Sequence, residues 1–146
     1  MNIHIALESD KKNLEEFLVF NNGERNRKLA YEYIDAMFSD SYRKPTFIVA
    51  KIDGDIVGAA AFSEEIFTVG TWGISWVSVH EKHRHHGIGK KLVESCLKHI
   101  ESKVSDTVTV ILATYPNKTK LYERTGFVEM KQDHEGGSFM MKTLHV

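Results

Sequence analysis

Arg84, Gly87 and Gly89, followed at once by Lys90 and Lys91, are the residues of this chain best suited to hold an anion. Glycines at these places leave backbone N–H groups uncovered by side chains, and the apolar periodicity that begins at Ile88 makes the segment the start of a helix. A helix N-terminus presents unpaired N–H donors and about half a positive charge, so it holds phosphates. His80, His83, His85 and His86 crowd the same stretch. They lack the cysteine or carboxylate spacing of a structural zinc site, and adjacent histidines do not readily share one tetrahedral ion. We therefore expect no metal, and read the histidines as loop surface beside phosphates, partly protonated below about pH 6.5.

The elements that must position this loop can be read from residue periodicity. Ile3 to Leu7 reads as a short strand, closed by Ser9 and Asp10, which are good helix N-caps. Leu14, Phe17 and Leu18 recur at helical spacing until Asn21-Asn22-Gly23. A second helix over roughly 24–38 puts Leu29, Tyr33, Ile34, Met37 and Phe38 on one face, and Pro45 ends it. Thr46–Ile52 is β-rich and turns through Asp53-Gly54, a type I′ pair, into a return strand over Asp55–Phe62. A strand over about Thr71–Val79 carries Trp72 and Trp76, whose even spacing places them on one face as core or cleft wall. It leads into the glycine loop and then a helix with Ile88, Leu92, Val93, Cys96, Leu97 and Ile100 along one stripe. Thr107–Ala113 reads as a central buried strand. Pro116-Asn117 opens a short helix through Arg124, and Phe127–Lys131 with Ser138–Leu144 makes a final hairpin around Gly136-Gly137. The order β-α-α-β-β-β-α-β-α-β-β predicts a mixed α/β sheet in a single domain over 1–146, without repeats or a linker.

Composition bounds the function classes. The chain has 146 residues, 42% of them hydrophobic, which suits one core. A net charge of −1 supplies no basic surplus for tracking a nucleic-acid backbone. The single cysteine, Cys96, excludes an internal disulfide and fits a reducing, cytoplasmic compartment. No secretory signal or membrane-length apolar run is apparent, so no membrane partner is expected.

Two familiar phosphate loops fail on their residues. A P-loop needs Gly-x-x-x-x-Gly-Lys-Ser/Thr, but Arg84 stands at the first glycine and Lys91 at the hydroxyl. A dinucleotide loop needs a third glycine where Leu92 stands. A third fits. Val79-x-x-x-x-Arg84-x-x-Gly87-x-Gly89 resembles the Arg/Gln-x-x-Gly-x-Gly/Ala loop of the GCN5-related N-acetyltransferase (GNAT) superfamily. After a further strand, Leu121-Tyr122-Glu123-Arg124-Thr125-Gly126-Phe127 resembles that superfamily's Phe/Leu-Tyr-Glu-Lys/Arg-x-Gly-Phe segment. The resemblance implies a GNAT fold with helices on both faces of a mixed sheet of about seven strands, an α+β arrangement. Departures occur at Glu81, where members often have proline, and at Tyr115 and Lys118, where many have asparagine and a small residue. Asn117 lies closer to the tyrosine than the usual asparagine.

The resemblance also implies roles. Amides of Arg84, His85, His86, Gly87, Ile88 and Gly89 would cradle the pyrophosphate of acetyl-CoA, with charge from Arg84 and Lys90. Val77, Ser78 and Val79 would end a strand that splays from the next and pairs with the pantetheine arm, one amide stabilising the oxyanion. Asn117 would touch the same arm. Tyr122 would return a proton to the departing thiolate, with Tyr115 a weaker rival. The general base is open between Glu64, Glu65 and water, because Thr71–Trp76 holds no carboxylate. The acceptor cleft would be walled by the first two helices, the loop around Glu64–Gly70 and the last hairpin, and Glu24, Glu32, Asp35 and Asp40 hint at a cationic acceptor.

The expected function is acetyl transfer from acetyl-CoA to a primary amine, on a small molecule or a protein, by direct attack in a ternary complex. Alternatives are an acyl-CoA-binding regulatory protein with little or no turnover and a histidine-rich metal-binding module. Homodimers are common among similar proteins.

Overall fold

The computed structural model describes residues 1–66 and 69–145. Along the chain lie β1 (Asn2–Ile5), α1 (Lys11–Asn22), α2 (Arg27–Met37), β2 (Thr46–Ile52), β3 (Asp55–Glu64), β4 (Thr71–Val79), α3 (Ile88–Lys103), β5 (Val108–Thr114), α4 (Thr119–Glu123), β6 (Val128–Gln132) and β7 (Ser138–Leu144). The predicted alternation is the observed one, as a mixed α/β sheet with helices on both faces. The seven strands run β1-β2-β3-β4-β5-β7-β6. Every neighbouring pair is antiparallel except β4 and β5. Chain order does not reveal that β7 inserts between β5 and β6.

One face of the sheet takes α3. All six residues of its apolar stripe are buried, against β-strand residues that include Ile48, Ala60, Phe62 and Val110. Each of its aliphatic side chains is worth about 1.5–3 kcal/mol. A side chain at Gly58 would lie 2.9 Å from Leu92 and 3.1 Å from Ile88, so glycine there lets β3 sit directly beneath the first turns of α3. The other face takes α1 and α2, with Leu14, Leu18, Ala30 and Ile34 over Phe47, Val49, Ala59 and Ala61. Leu29 is instead 47% exposed, because Ala30, one turn before Ile34, takes the core position and Leu29 lies outside the stripe. These helices pack on β2, β3 and β4. Strand β5 is interior to the sheet, yet it buries only Val108, Val110 and Leu112, on a single face.

Local chemistry departs from expectation near the N-terminus. Asp10 does not cap α1 with its side chain. Its carboxylate instead accepts from Leu7 N (2.8 Å) and from Lys51 Nζ (2.7 Å), because the nearby ammonium is the stronger partner. Asp53 (φ 51) and Gly54 (φ 85) form the left-handed pair expected of a type I′ turn.

Two irregularities shape β4. Ala59 faces Ser78 while Ala61 faces Ser75, so Trp76 and Val77 together oppose Ala60 as a β-bulge. Trp76 adopts φ 58, a left-handed backbone that costs a non-glycine residue about 1–3 kcal/mol. The bulge also resets the alternation of side chains. Trp72 and Ile74 join the α3-side core, as do Val77 and Val79, while Trp76 packs on the α1–α2 side. The two tryptophans therefore lie on opposite faces, contrary to their even spacing. Further, β4 pairs with β5 only from Thr71 to Gly73, after which the strands part.

Candidate active site

The parted strands leave backbone groups available. His80 donates its N–H to Val57 O on β3 (2.8 Å), and successive strand residues aim their backbone groups to alternate sides. Val77 and Val79 therefore aim theirs away from β3, into the gap beside β5. Ser78 turns its backbone toward β3, and its side chain is buried. A cleft of about 480 Å³ opens at this point, reached by Val77, Ser78 and Val79 on one side and by Leu121 and Tyr122 on the other.

The loop from β4 to α3 lines the same cleft. His85 (φ 66) and Gly87 (φ 79) are both left-handed, and Lys91 N bonds to Gly87 O (3.1 Å) as α3 begins. The N–H groups of Ile88, Gly89 and Lys90 thus have no acceptor within the helix. A Cβ on Gly87 would meet nothing within 4 Å, so backbone conformation selects this glycine. At Gly89 the reason differs, since a Cβ would approach Leu121 to 3.3 Å and Val79 to 3.7 Å. Gly89 lets α3 and α4 come together. Arg84 folds back, its Nε donating to Val79 O (3.0 Å).

Cations converge from a second direction. Besides Arg84 and Lys90, the cleft is lined by Lys118, Lys120 and Arg124 from the α4 region, and by no carboxylate among the described residues. Asn117 lines it too. The sequence places the anion-binding charge at Arg84, Lys90 and Lys91 and gives no prominence to the α4 lysines, though their basic character is visible. Nor does it single out Asn21 and Asn22, which close the cleft from the end of α1. Their only sequence signal is a helix stop.

Tyr122 is 6% exposed and lines the cleft. Burial pushes its phenol up to about 12, against the opposing pull of a hydrogen bond with the Thr114 side chain. Phe127 meets its ring edge-on, with centroids 6.1 Å apart. Tyr115 by contrast is 66% exposed. Among the histidines, His80 stacks on Phe20 with ring centroids 5.6 Å apart, and His83 meets His80 edge-on. No group of three or more His, Cys, Asp or Glu among the described residues could hold a metal ion.

The carboxylates divide into engaged and available. Glu64 pairs with Arg43 (3.5 Å), and the same guanidinium donates to Glu65 O (2.6 Å). The Glu65 side chain lies over Gly73, in the space a Cβ would fill. Gly73 is the last residue of β4 to pair with β5. Phe67 and Thr68, in the loop expected to wall an acceptor cleft, lie outside the described residues. Two of the acidic residues expected to attract a cationic acceptor are already neutralised, Glu24 by Arg27 (2.9 Å) and Asp35 by Lys11 (3.2 Å). No helix among the described residues is long and apolar enough to cross a membrane.

Comparison with known proteins extends these observations. A sequence comparison with curated proteins finds no match. Among solved structures, a GNAT-family N-acetyltransferase (YhbS) from Escherichia coli in complex with CoA aligns with TM-score 0.75 and 21% identity, over 98% of this chain and 81% of that one. A ribosomal-protein-alanine N-acetyltransferase from Brucella melitensis aligns at 0.77 and 19%, over 99% and 100%. An aminoglycoside 6'-N-acetyltransferase from Enterococcus faecium aligns at 0.78 and 15%, over 100% and 98%. At such identities the likeness is one of fold. The model of the acetyltransferase (GNAT) domain matches residues 43–129, more than half of the sequence. That span holds the parted strands, the left-handed glycine loop and the Tyr122 segment together, and the chain belongs to the GNAT family of N-acetyltransferases.

Proposed function

We propose that the cleft binds acetyl-CoA and that the enzyme passes the acetyl group to a primary amine by direct attack in a ternary complex. The observation that carries this reading is the meeting, in one cleft, of a left-handed Gly87 at the start of α3, five Lys or Arg side chains and a strand edge released by β5. The N–H groups of Ile88, Gly89 and Lys90, with the loop from Arg84, His85 and His86 to Gly87, suit a pyrophosphate. The outward backbone of Val77 and Val79, next to Ser78, suits the amides of a pantetheine arm, and Asn117 lines the same cleft.

The chemistry follows from charge. An alkylammonium with a pKa of about 10.4 must lose a proton before it attacks. Glu65 is the better base of the two candidates, because Arg43 already neutralises Glu64 and the Glu65 carboxylate lies on β4 where the strands part. As nitrogen bonds to the acyl carbon, an outward N–H of β4 stabilises the oxyanion. The C–S bond then breaks, Tyr122 supplies the proton to sulfur, and the second proton shed by the acylated nitrogen restores the phenol. With its phenol pushed up to about 12, Tyr122 holds that proton at neutral pH, as an acid must. The acceptor is a small molecule or a protein bearing a primary amine.

Calorimetry with acetyl-CoA on the wild type and on Gly87→Glu tests the reading. Binding that is lost in a folded variant, followed by thiol release in the presence of members of an amine panel, supports it. A folded wild type that binds no acetyl-CoA overturns it, and binding without turnover on any amine restricts the chain to acyl-CoA binding.

A further inference from the structure

Ser78 lines the cleft, yet it is only 7% exposed. Buried hydroxyls are retained where they are bonded, and this one is bonded twice. Its Oγ donates to Trp76 O (3.0 Å) and accepts from Asn22 Nδ2 (3.1 Å). The same amide also donates to Leu18 O (2.9 Å), which fixes the Asn22 side chain against the last turn of α1. Trp76 is the left-handed residue of the β4 bulge, and its ring meets Tyr33 of α2 edge-on, with centroids 5.7 Å apart. The bulge is thus held by its carbonyl from α1 and by its ring from α2.

A left-handed non-glycine residue persists only where its surroundings over-determine it. An extra residue in a strand can also settle at a neighbouring position, and each residue that the bulge moves past turns its side chain and backbone groups to the other side. Here the residues that follow are Val77 and Val79, whose outward N–H and C=O groups face the gap.

We propose that Asn22 and Ser78 are positioning residues for the acyl donor: together they hold the bulge at Trp76 and so aim the backbone of Val77 and Val79 into the cleft. This rests on the reading of the cleft as the acetyl-CoA site. The hydroxyl is the shared element, so removing either partner breaks the same connection. Neither side chain needs to touch the donor. Their effect passes through the strand.

The test measures acetyl-CoA affinity by calorimetry on the wild type, Ser78→Ala, Asn22→Ala and the double variant, with amide hydrogen exchange followed across Trp76–Val79 in the free proteins. Each single change is expected to weaken binding roughly five- to tenfold and to speed exchange at Val77 and Val79. The double variant is expected to bind no more weakly than the worse single one, because the two residues act as a unit. Ser78→Thr, which keeps the hydroxyl, restores most of the affinity. Asn22→Asp, which keeps the shape but cannot donate, does not, and it serves as the second probe where Asn22→Ala fails to fold. Affinities within about twofold of the wild type, even with lowered melting temperatures, make the pair merely structural and overturn the inference. Losses that multiply in the double variant overturn it as well. A wild type that binds no acetyl-CoA is a different failure, since it removes the reading of the cleft and this inference with it.

Discussion

Glu65 lies over Gly73 so closely that a Cβ on the glycine would collide with Oε1. The strand supplies no carboxylate of its own between Thr71 and Trp76. The loop before it supplies one, and the missing side chain at position 73 is what admits it.

Glu65→Gln is expected to lower kcat by about 10²–10⁴-fold at neutral pH while leaving acetyl-CoA affinity unchanged. The deficit shrinks as pH rises, because more of the amine is already neutral and needs no base. Gly73→Ala displaces the carboxylate and is expected to reproduce the effect, with little added loss in the double variant. Steady-state pH profiles of the three variants check this, and an unchanged kcat in Glu65→Gln transfers the role to water.

Tyr122→Phe keeps the ring packing on Phe127 and removes only the proton donor. Its kcat is expected to fall by about 10²-fold, again without a change in acetyl-CoA affinity. Tyr115→Phe, on an exposed ring, is expected to leave kcat as it was. Thiol-release rates and calorimetry on both variants decide between the two tyrosines.

Stability is expected to fall on the alkaline side. Burial pushes the Cys96 thiol from 9.0 up to about 12, and the Tyr122 phenol from 10.0 up to about 12. Both groups keep their protons in the folded chain while the unfolded chain releases them, so stability is intact below pH 9.0 and declines as pH rises toward 12. Each group contributes about 1.4 kcal/mol per pH unit beyond its unfolded value. In Cys96→Ala the onset moves to the tyrosine's unfolded value of 10.0. Melting temperature against pH measures this directly.

The acid side depends on Asp10. Burial raises its pKa, but the Lys51 ammonium and the Leu7 N–H outweigh that and hold it below 3.8. The stabilisation is therefore present above pH 3.8 and is lost as pH falls through the folded value. Lys51→Ala is expected to cost about 1.5–3 kcal/mol and to move the acid transition to higher pH, as seen by circular dichroism.

Element order, the α3 stripe and the glycine loop were legible because each is written in local spacing: period 3.6 from Ile88 to Ile100, and β-rich runs bounded by Asp53-Gly54 and Gly126. What escaped was set by contacts distant in sequence. Asn22 gains meaning only beside Ser78, Glu65 only over Gly73, and Lys118 and Lys120 only once α4 packs on Gly89. The opposite facing of Trp72 and Trp76 escaped because alternation assumes a regular strand, and nothing in the residue types around Trp76 announces an extra one. The choice between Glu64 and Glu65 likewise turned on Arg43, some twenty residues earlier, whose pairing with Glu64 the local sequence does not show.

The extra residue in β4 ties the bend of the strand to its length. Deleting Trp76 would give β4 the same number of residues as its partner over this stretch and a more regular ladder. It would leave Ser75 opposite Ala61 and Ser78 opposite Ala59, with Val77 and Val79 facing as before, but it would remove the ring that meets Tyr33 and the bend that a bulge gives its strand. In descendants of this sequence, insertions and deletions should accumulate in the loops that flank β4 and be purged within it, even where the substituted side chains themselves are tolerated.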